Sequence, residues 1–229
     1  ATLTLSLSLS TIGYLALSGS VWSQFDDQVL DYFYRRAVAA GHGVKKSRQI
    51  VYLTITDDTY RYFGKNTLDR HGLATVNDAL AQLGIEAVAY DLIFARPSQP
   101  HADVRFARSI ASLASVYLPI GFGLATQKTP FVWETGYAFE RLRNDFLAQP
   151  LEETVGEPYY AKRASMQLDT LMLAAKGSGH ISARSDEDGV YREVNMLLKI
   201  DSLAIPALTL SMFLDYVEIP FDSVKVHWG

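Results

Sequence analysis

Between residues 49 and 119 the hydrophobic pattern changes period four times. Residues 49–56 are β-branched and aromatic, with Ile50, Val51, Tyr52, Leu53 and Ile55, and predict a strand that ends at Asp57 and Asp58. Over residues 67–83, Leu73, Val76, Leu80 and Leu83 recur at helical spacing, and Gly84 supplies the stop. Residues 85–94 predict a second strand, interrupted near its end by Asp91, and Pro97 and Pro100 break the chain. Phe106, Ile110 and Leu113 then share one helical face, and residues 115–119 predict a third strand. Strands joined by helix-length crossovers pair in parallel, and the crossover takes one hand. The expected fold class is therefore α/β: a three-layer-like domain with a mainly parallel, mixed sheet.

The remainder is less regular. In residues 120–160, glycine, threonine, proline and charges alternate with Phe131, Trp133, Tyr137 and Phe139, which predicts an insertion with a partial helix over 138–147. A helix is predicted over 160–176, with Ala164, Leu168, Leu171 and Ala175 inward and Gly177 as its stop. Residues 180–183 and 190–200 predict a β-hairpin turned at Asp186 to Gly189. Pro206 is placed at the start of an apolar helix reaching residue 217, and a last strand begins near Val224. The natural protein is expected to continue beyond Gly229.

No charge occurs before Asp26. A helix of that length crosses a hydrocarbon core of about 30 Å, and Trp22 stands where an interfacial aromatic belongs. Leu3, Leu5, Leu7 and Leu9 alternate with Thr and Ser, which fits a half-buried strand as well, and a cleaved signal is a third reading. The expected organisation is a transmembrane or signal-anchor segment at 1–25, a stalk helix at 26–44 halted by Gly41 and Gly43, and an extracytoplasmic domain at 45–229.

Several chemistries find no support. A formal net charge of −4, mixed along the chain, offers no basic footprint for nucleic acid. Without cysteine there is no disulfide framework or thiolate site. None of the five histidines is paired at helical metal-ligand spacing. Gly121-Phe122-Gly123 lacks a third glycine, and no serine sits in a nucleophile elbow. Asp186, Glu187 and Asp188 lack the late glutamate of a calcium loop and read as a solvated turn that Arg192 anchors. No catalytic residue, metal or cofactor is expected.

The candidate ligand residues are Asp57, Asp58, Arg70, Asp91 and Trp133. Ligands of open parallel sheets bind beyond the carboxyl ends of the strands. Asp57, Asp58 and Asp91 would gather there to hold a divalent cation or a cationic ligand, with Arg70 nearby. In the competing reading the first two cap a turn and Asp91 pairs with Arg70 or Arg96. Trp133 and its aromatic neighbours would wall a ligand, fill the insertion's core or form a dimer surface.

A family resemblance rests on motifs in order: DQVLDYFYRR at 27–36, IVYLTITDDTYRYFG at 50–64, Arg70 opening a helix that leads to LAQLGIEAVAYDLIFARP at 80–97, and Asp103 opening the helix before SVYLP at 115–119. GHISARSDEDGVYREVNMLL at 179–198 and IPALTL at 205–210 follow. Together they resemble the cyclase- and histidine-kinase-associated sensory extracellular domains of the second type, CHASE type two. The family's tryptophan and proline before the arginine are replaced by residues 66–69, and residues 121–160 match nothing in it. The resemblance implies a periplasmic or extracellular sensory module of a bacterial receptor in the cell membrane. It would control a cytoplasmic output domain, such as an adenylate cyclase, a diguanylate cyclase, a histidine kinase or a Ser/Thr kinase. A homodimer and an unidentified small-molecule or envelope ligand are expected. An envelope structural or interaction protein, and a metal-dependent hydrolase using Asp57, Asp58 and Asp91, are the alternatives.

Overall fold

The computed structural model describes residues 13, 20–45, 47–64, 69–125, 127–145, 160–186, 188–201 and 203–225. The chain divides into two units, one of Ala1–Thr54 with Ser185–Arg192, the other of Ile55–Arg184 with Glu193–Gly229.

In the first unit, helix α1 runs Ser20–Ala39. It ends where the sequence predicts, at Gly41, whose φ is +82°. His42 donates to the Ala37 carbonyl at 2.9 Å and Gly41 to that of Val38 at 3.0 Å, so two terminal carbonyls are satisfied. Most of the predicted membrane segment, residues 1–12 and 14–19, lies outside the described residues. Among the described residues no helix is long and apolar enough to cross a membrane. The strand predicted over 49–56 does not form: it joins no strand among the described residues, and Val51 and Tyr52 are largely exposed. Strand propensity is realised only against a neighbour, and among the described residues no strand pairs with this segment.

The second unit is a mixed α/β domain. After the short α2 (Asp57–Phe63), it holds helices α3 (Arg70–Gln82), α4 (Pro100–Ser112), α5 (Tyr137–Asp145), α6 (Asp169–Ala174) and α7 (Leu208–Tyr216). Its strands are β1 (Val88–Ala89), β2 (Val116–Ala125), β3 (Tyr160–Ser165), β4 (Gly177–His180), β5 (Leu197–Ile200) and β6 (Leu203–Pro206). β2 organises the sheet. Its first half pairs in parallel with β1 and with β4, and its second half, Gly121–Ala125, pairs antiparallel with β3. β5 joins β3 in parallel at one position and pairs antiparallel with β6. The expected mixed sheet is therefore present, but it is not mainly parallel: β2 pairs in parallel with β1 and β4, and the β2–β3 and β5–β6 pairings are antiparallel. α3 packs on α4, α4 on α6, and α7 on β4. Phe106, Ile110, Leu118, Ile120, Leu171 and Ile205 form the buried centre.

Three expectations change. The second strand shrinks to Val88–Ala89 because the backbone beyond it bonds elsewhere. Gln167 accepts from Phe94 N–H at 2.7 Å and donates to the carbonyls of Leu92 at 3.0 Å and Pro119 at 2.8 Å, and Leu168 N–H donates to Phe94 at 3.0 Å. The helix predicted over 160–176 is instead β3 followed by α6, since the second half of the ten-residue β2 takes residues 160–165 as its partner. The hairpin lies one element later. β4 and β5 do not pair. β5 and β6 do, across residues 201–202, where Asp201 has φ +50°. Pro206 accordingly ends a strand, and α7 begins at Leu208. Phe221–Ser223 forms a 3-10 turn, and most of the predicted last strand lies outside the described residues.

Candidate functional site

The sequence-predicted site residues do not converge. Asp57 and Asp58 occupy the first turn of α2, where carboxylates suit the positive end of a helix. Thr56 N–H donates to the Thr59 hydroxyl at 3.1 Å, closing that turn, and Asp58 pairs with Arg61 at 3.1 Å in solvent. Asp91 follows β1 and is exposed, with no hydrogen bond or ion pair among the described residues. No group of three acidic or histidine side chains that could hold a metal occurs among the described residues.

Arg70 is buried, and its partner is neither Asp91 nor another strand-end carboxylate. Asp69 caps α3 by accepting from Gly72 N–H at 2.8 Å, which sets Arg70 in the first turn. Its guanidinium donates to the carboxylate of Asp103 on α4 and to the Arg96 carbonyl, 5.5 Å from the centre of the Phe94 ring. Asp103 also accepts from the Ser98 amide at 3.0 Å and hydroxyl at 2.5 Å. Burial raises the Asp103 pKa, but Ser98 and Arg70 outweigh it and hold the carboxyl below its ordinary value. This pair staples α3, α4 and the 94–98 loop. Trp133 is likewise held by neighbouring side chains. Its indole donates to Asp201 at 3.0 Å, its ring meets Phe131 with centroids 4.7 Å apart, and Arg143 lies 4.2 Å over it.

Two further constellations stand out, one read only in part from the sequence and one not at all. The first surrounds Arg192 in the first unit. Its guanidinium bonds both carboxylate oxygens of Asp31 on α1, at 3.0 Å each. It reaches Asp188 at 2.7 and 3.0 Å and Asp186 at 2.8 Å, with Asp27 at 3.8 Å. The hydrogen bonds from Arg192 lower Asp188 to about 2 and also lower Asp31. The predicted Asp186–Gly189 turn exists, with Gly189 at φ +81°, and the anchoring role read for Arg192 holds. What the sequence does not show is that α1 supplies the other carboxylates.

The second is a groove of about 590 Å³ in the second unit, lined by Phe122, Leu124, Gln127, Lys162, Ala183 and Arg184 among others. It sits where the parallel strands β2 and β4 end, the edge at which open α/β sheets take ligands. Lys162 is placed by a bulge. Gly123 opposes Arg163 and Leu124 opposes Ala161, so Lys162 is the extra residue of β3. Val132 N–H donates to the Lys162 carbonyl at 3.0 Å and holds the bulged backbone. Arg184 is placed by continuation of β4. Ile181 N–H donates to Ile120 at 3.1 Å, and the Ser182 hydroxyl accepts from Phe122 N–H at 2.6 Å. A bulge leaves no mark in hydrophobic periodicity, so sequence reading could not have found Lys162.

The CHASE2 domain family matches residues 4–227, nearly the whole chain. No curated protein and no solved structure matches it.

Proposed function

We propose, from the premise that this chain belongs to the CHASE2 domain family, that it is the input module of a membrane receptor and governs a cytoplasmic output domain through α1. CHASE2 is an extracellular sensory domain of signalling receptors. The reading places residues 1–25 in or across the membrane and the body outside the cytoplasm. The output is a nucleotide cyclase, a diguanylate cyclase or a kinase.

One observation supports transmission through α1 above others. Arg192 binds Asp31 on α1 while belonging to a loop, Ser185–Arg192, whose two flanking chain segments both belong to the larger unit. A ligand-dependent change at either end of that loop therefore has a covalent route to the α1 clasp. Transmission requires that the ligand bind the two arrangements with different free energy. α1 also leaves Phe25, Tyr32 and Phe33 exposed, which supports pairing of two copies along it.

The location is tested with alkaline phosphatase and a fluorescent protein fused in turn after Gly229 in intact cells. Phosphatase activity without fluorescence is expected. Fluorescence with an inactive phosphatase puts the body in the cytosol and ends the receptor reading.

A further inference from the structure

We propose that the groove between Lys162 and Arg184 is the recognition site, and that it takes a small organic dianion, a dicarboxylate or a phosphate monoester. The inference deepens the sensory reading and rests on it for its biological meaning, though not for its chemistry.

Charge sets the class. Lys162 and Arg184 line one groove and neither side chain has an ion-pair partner among the described residues. Several cations of the same unit are paired, Arg70 with Asp103, Arg105 with Asp78, Arg141 with Asp145 and Lys176 with Asp215, so what distinguishes Lys162 and Arg184 is that two free cations share one groove. Among the described residues no acidic side chain lines the groove. Two uncompensated cations favour two negative charges, and an arginine fork suits a planar carboxylate or a phosphoryl group.

The neutral lining sets the rest. Phe122 and Leu124 stand on one face of β2, two residues apart, and give an apolar wall with Ala125 and Ala183. Gln127 and Thr129 add uncharged hydrogen-bonding groups from the segment that the Val132–Lys162 bond ties to β3. A volume of about 590 Å³ is within the range of small-molecule sites, roughly 300–1,000 Å³. The position is held by the paired backbone of β3 and by one side-chain hydroxyl on the segment after β4. The bulge fixes Lys162, and the Ser182–Phe122 bond fixes the segment that carries Arg184. A bulge at a sheet end is a recurrent means of re-aiming a side chain at a site.

The test is calorimetric titration of the whole chain with succinate and with phenyl phosphate, beside acetate and uncharged succinamide. At least one dianion is expected to bind saturably and more tightly than acetate or succinamide. Lys162→Gln and Arg184→Gln are each expected to weaken it about tenfold. The double variant should lose it while keeping the wild-type circular dichroism and urea midpoint. Lys128→Gln, outside the groove lining, should leave binding unchanged. No saturable binding of either dianion, equal binding of acetate, or wild-type affinity in the double variant overturns the assignment. The fusion at Gly229 reads location independently. Anion binding by a cytosolic body would keep the groove and remove the receptor, and an external body without anion binding would do the reverse.

Discussion

Arg70 and Asp103 illustrate how a buried charge earns its place by being fully bonded. Each is in contact with the other, and the spare donors and acceptors go to the Arg96 carbonyl and to Ser98. Removing one partner strands the other in a dry site, which costs more than the pair's net worth. Arg70→Ala is expected to destabilise the domain by on the order of 3 kcal/mol in urea unfolding; a change within error would mean that water reaches Asp103. His180 is the contrary case. It is 2% exposed on β4, and neither ring nitrogen makes a hydrogen bond among the described residues. Burial pushes its pKa down from 6.5 to about 4. The sign follows from proton uptake. Between those two values the unfolded chain binds a proton that the folded chain refuses, so stability falls as pH drops through that window and levels off below about 4. The loss attributable to His180 is roughly 3 kcal/mol between pH 7 and 4. Urea midpoints across that range should show a slope that flattens in His180→Leu.

At the scale of elements, the fold is locked where one helix finishes the bonding of another. Asp169 in the first turn of α6 accepts from Ala138 N–H at 2.9 Å, at the start of α5. Arg141 on α5 answers by donating to the carbonyls of Met172, Ala175 (2.9 Å) and Lys176 (2.7 Å), at and just beyond the carboxyl end of α6. Arg141→Ala is expected to speed amide hydrogen exchange over residues 137–145 and 172–176 while leaving β2 and β4 protected. Uniform loss of protection would show instead that the insertion is integral to global stability. Gly179 marks another junction. A Cβ there would lie 2.6 Å from Leu208 Cα, so α7 can approach β4 this closely only against glycine. Since backbone is what it would strike, Gly179→Ala is expected to cost about 3 kcal/mol, at the upper end of overpacking effects.

For the whole molecule, the Arg192 clasp is the consequential feature. It joins carboxylates far apart in sequence, Asp31 and Asp188, on one guanidinium. A double-mutant cycle on Arg192→Ala and Asp31→Ala should give a coupling well outside error, read from protection of residues 25–39 in hydrogen exchange. Additive effects would mean that the turn alone holds Arg192 and that α1 is not clasped. If the proposed receptor reading holds, Arg192→Ala in the full-length protein is expected to uncouple output from stimulus without abolishing basal output.

The sequence determined the elements whose stop signals are local and whose faces are periodic. The ends of α1 and α3 at Gly41 and Gly84, the apolar face of α4 through Phe106 and Ile110, and the family motifs were all readable from neighbours along the chain. Tertiary structure decided whatever depends on a partner distant in sequence. Among the described residues it left 49–56 without a partner strand, turned residues 160–165 from helix to strand, ended β1 at Gln167's amide, and moved the hairpin to Asp201. It also dispersed the predicted aspartates and brought Lys162 and Arg184 to one groove. The physical reason is common to all of these. A backbone amide takes whichever acceptor the folded chain brings within reach, and a side chain's direction follows from that pairing.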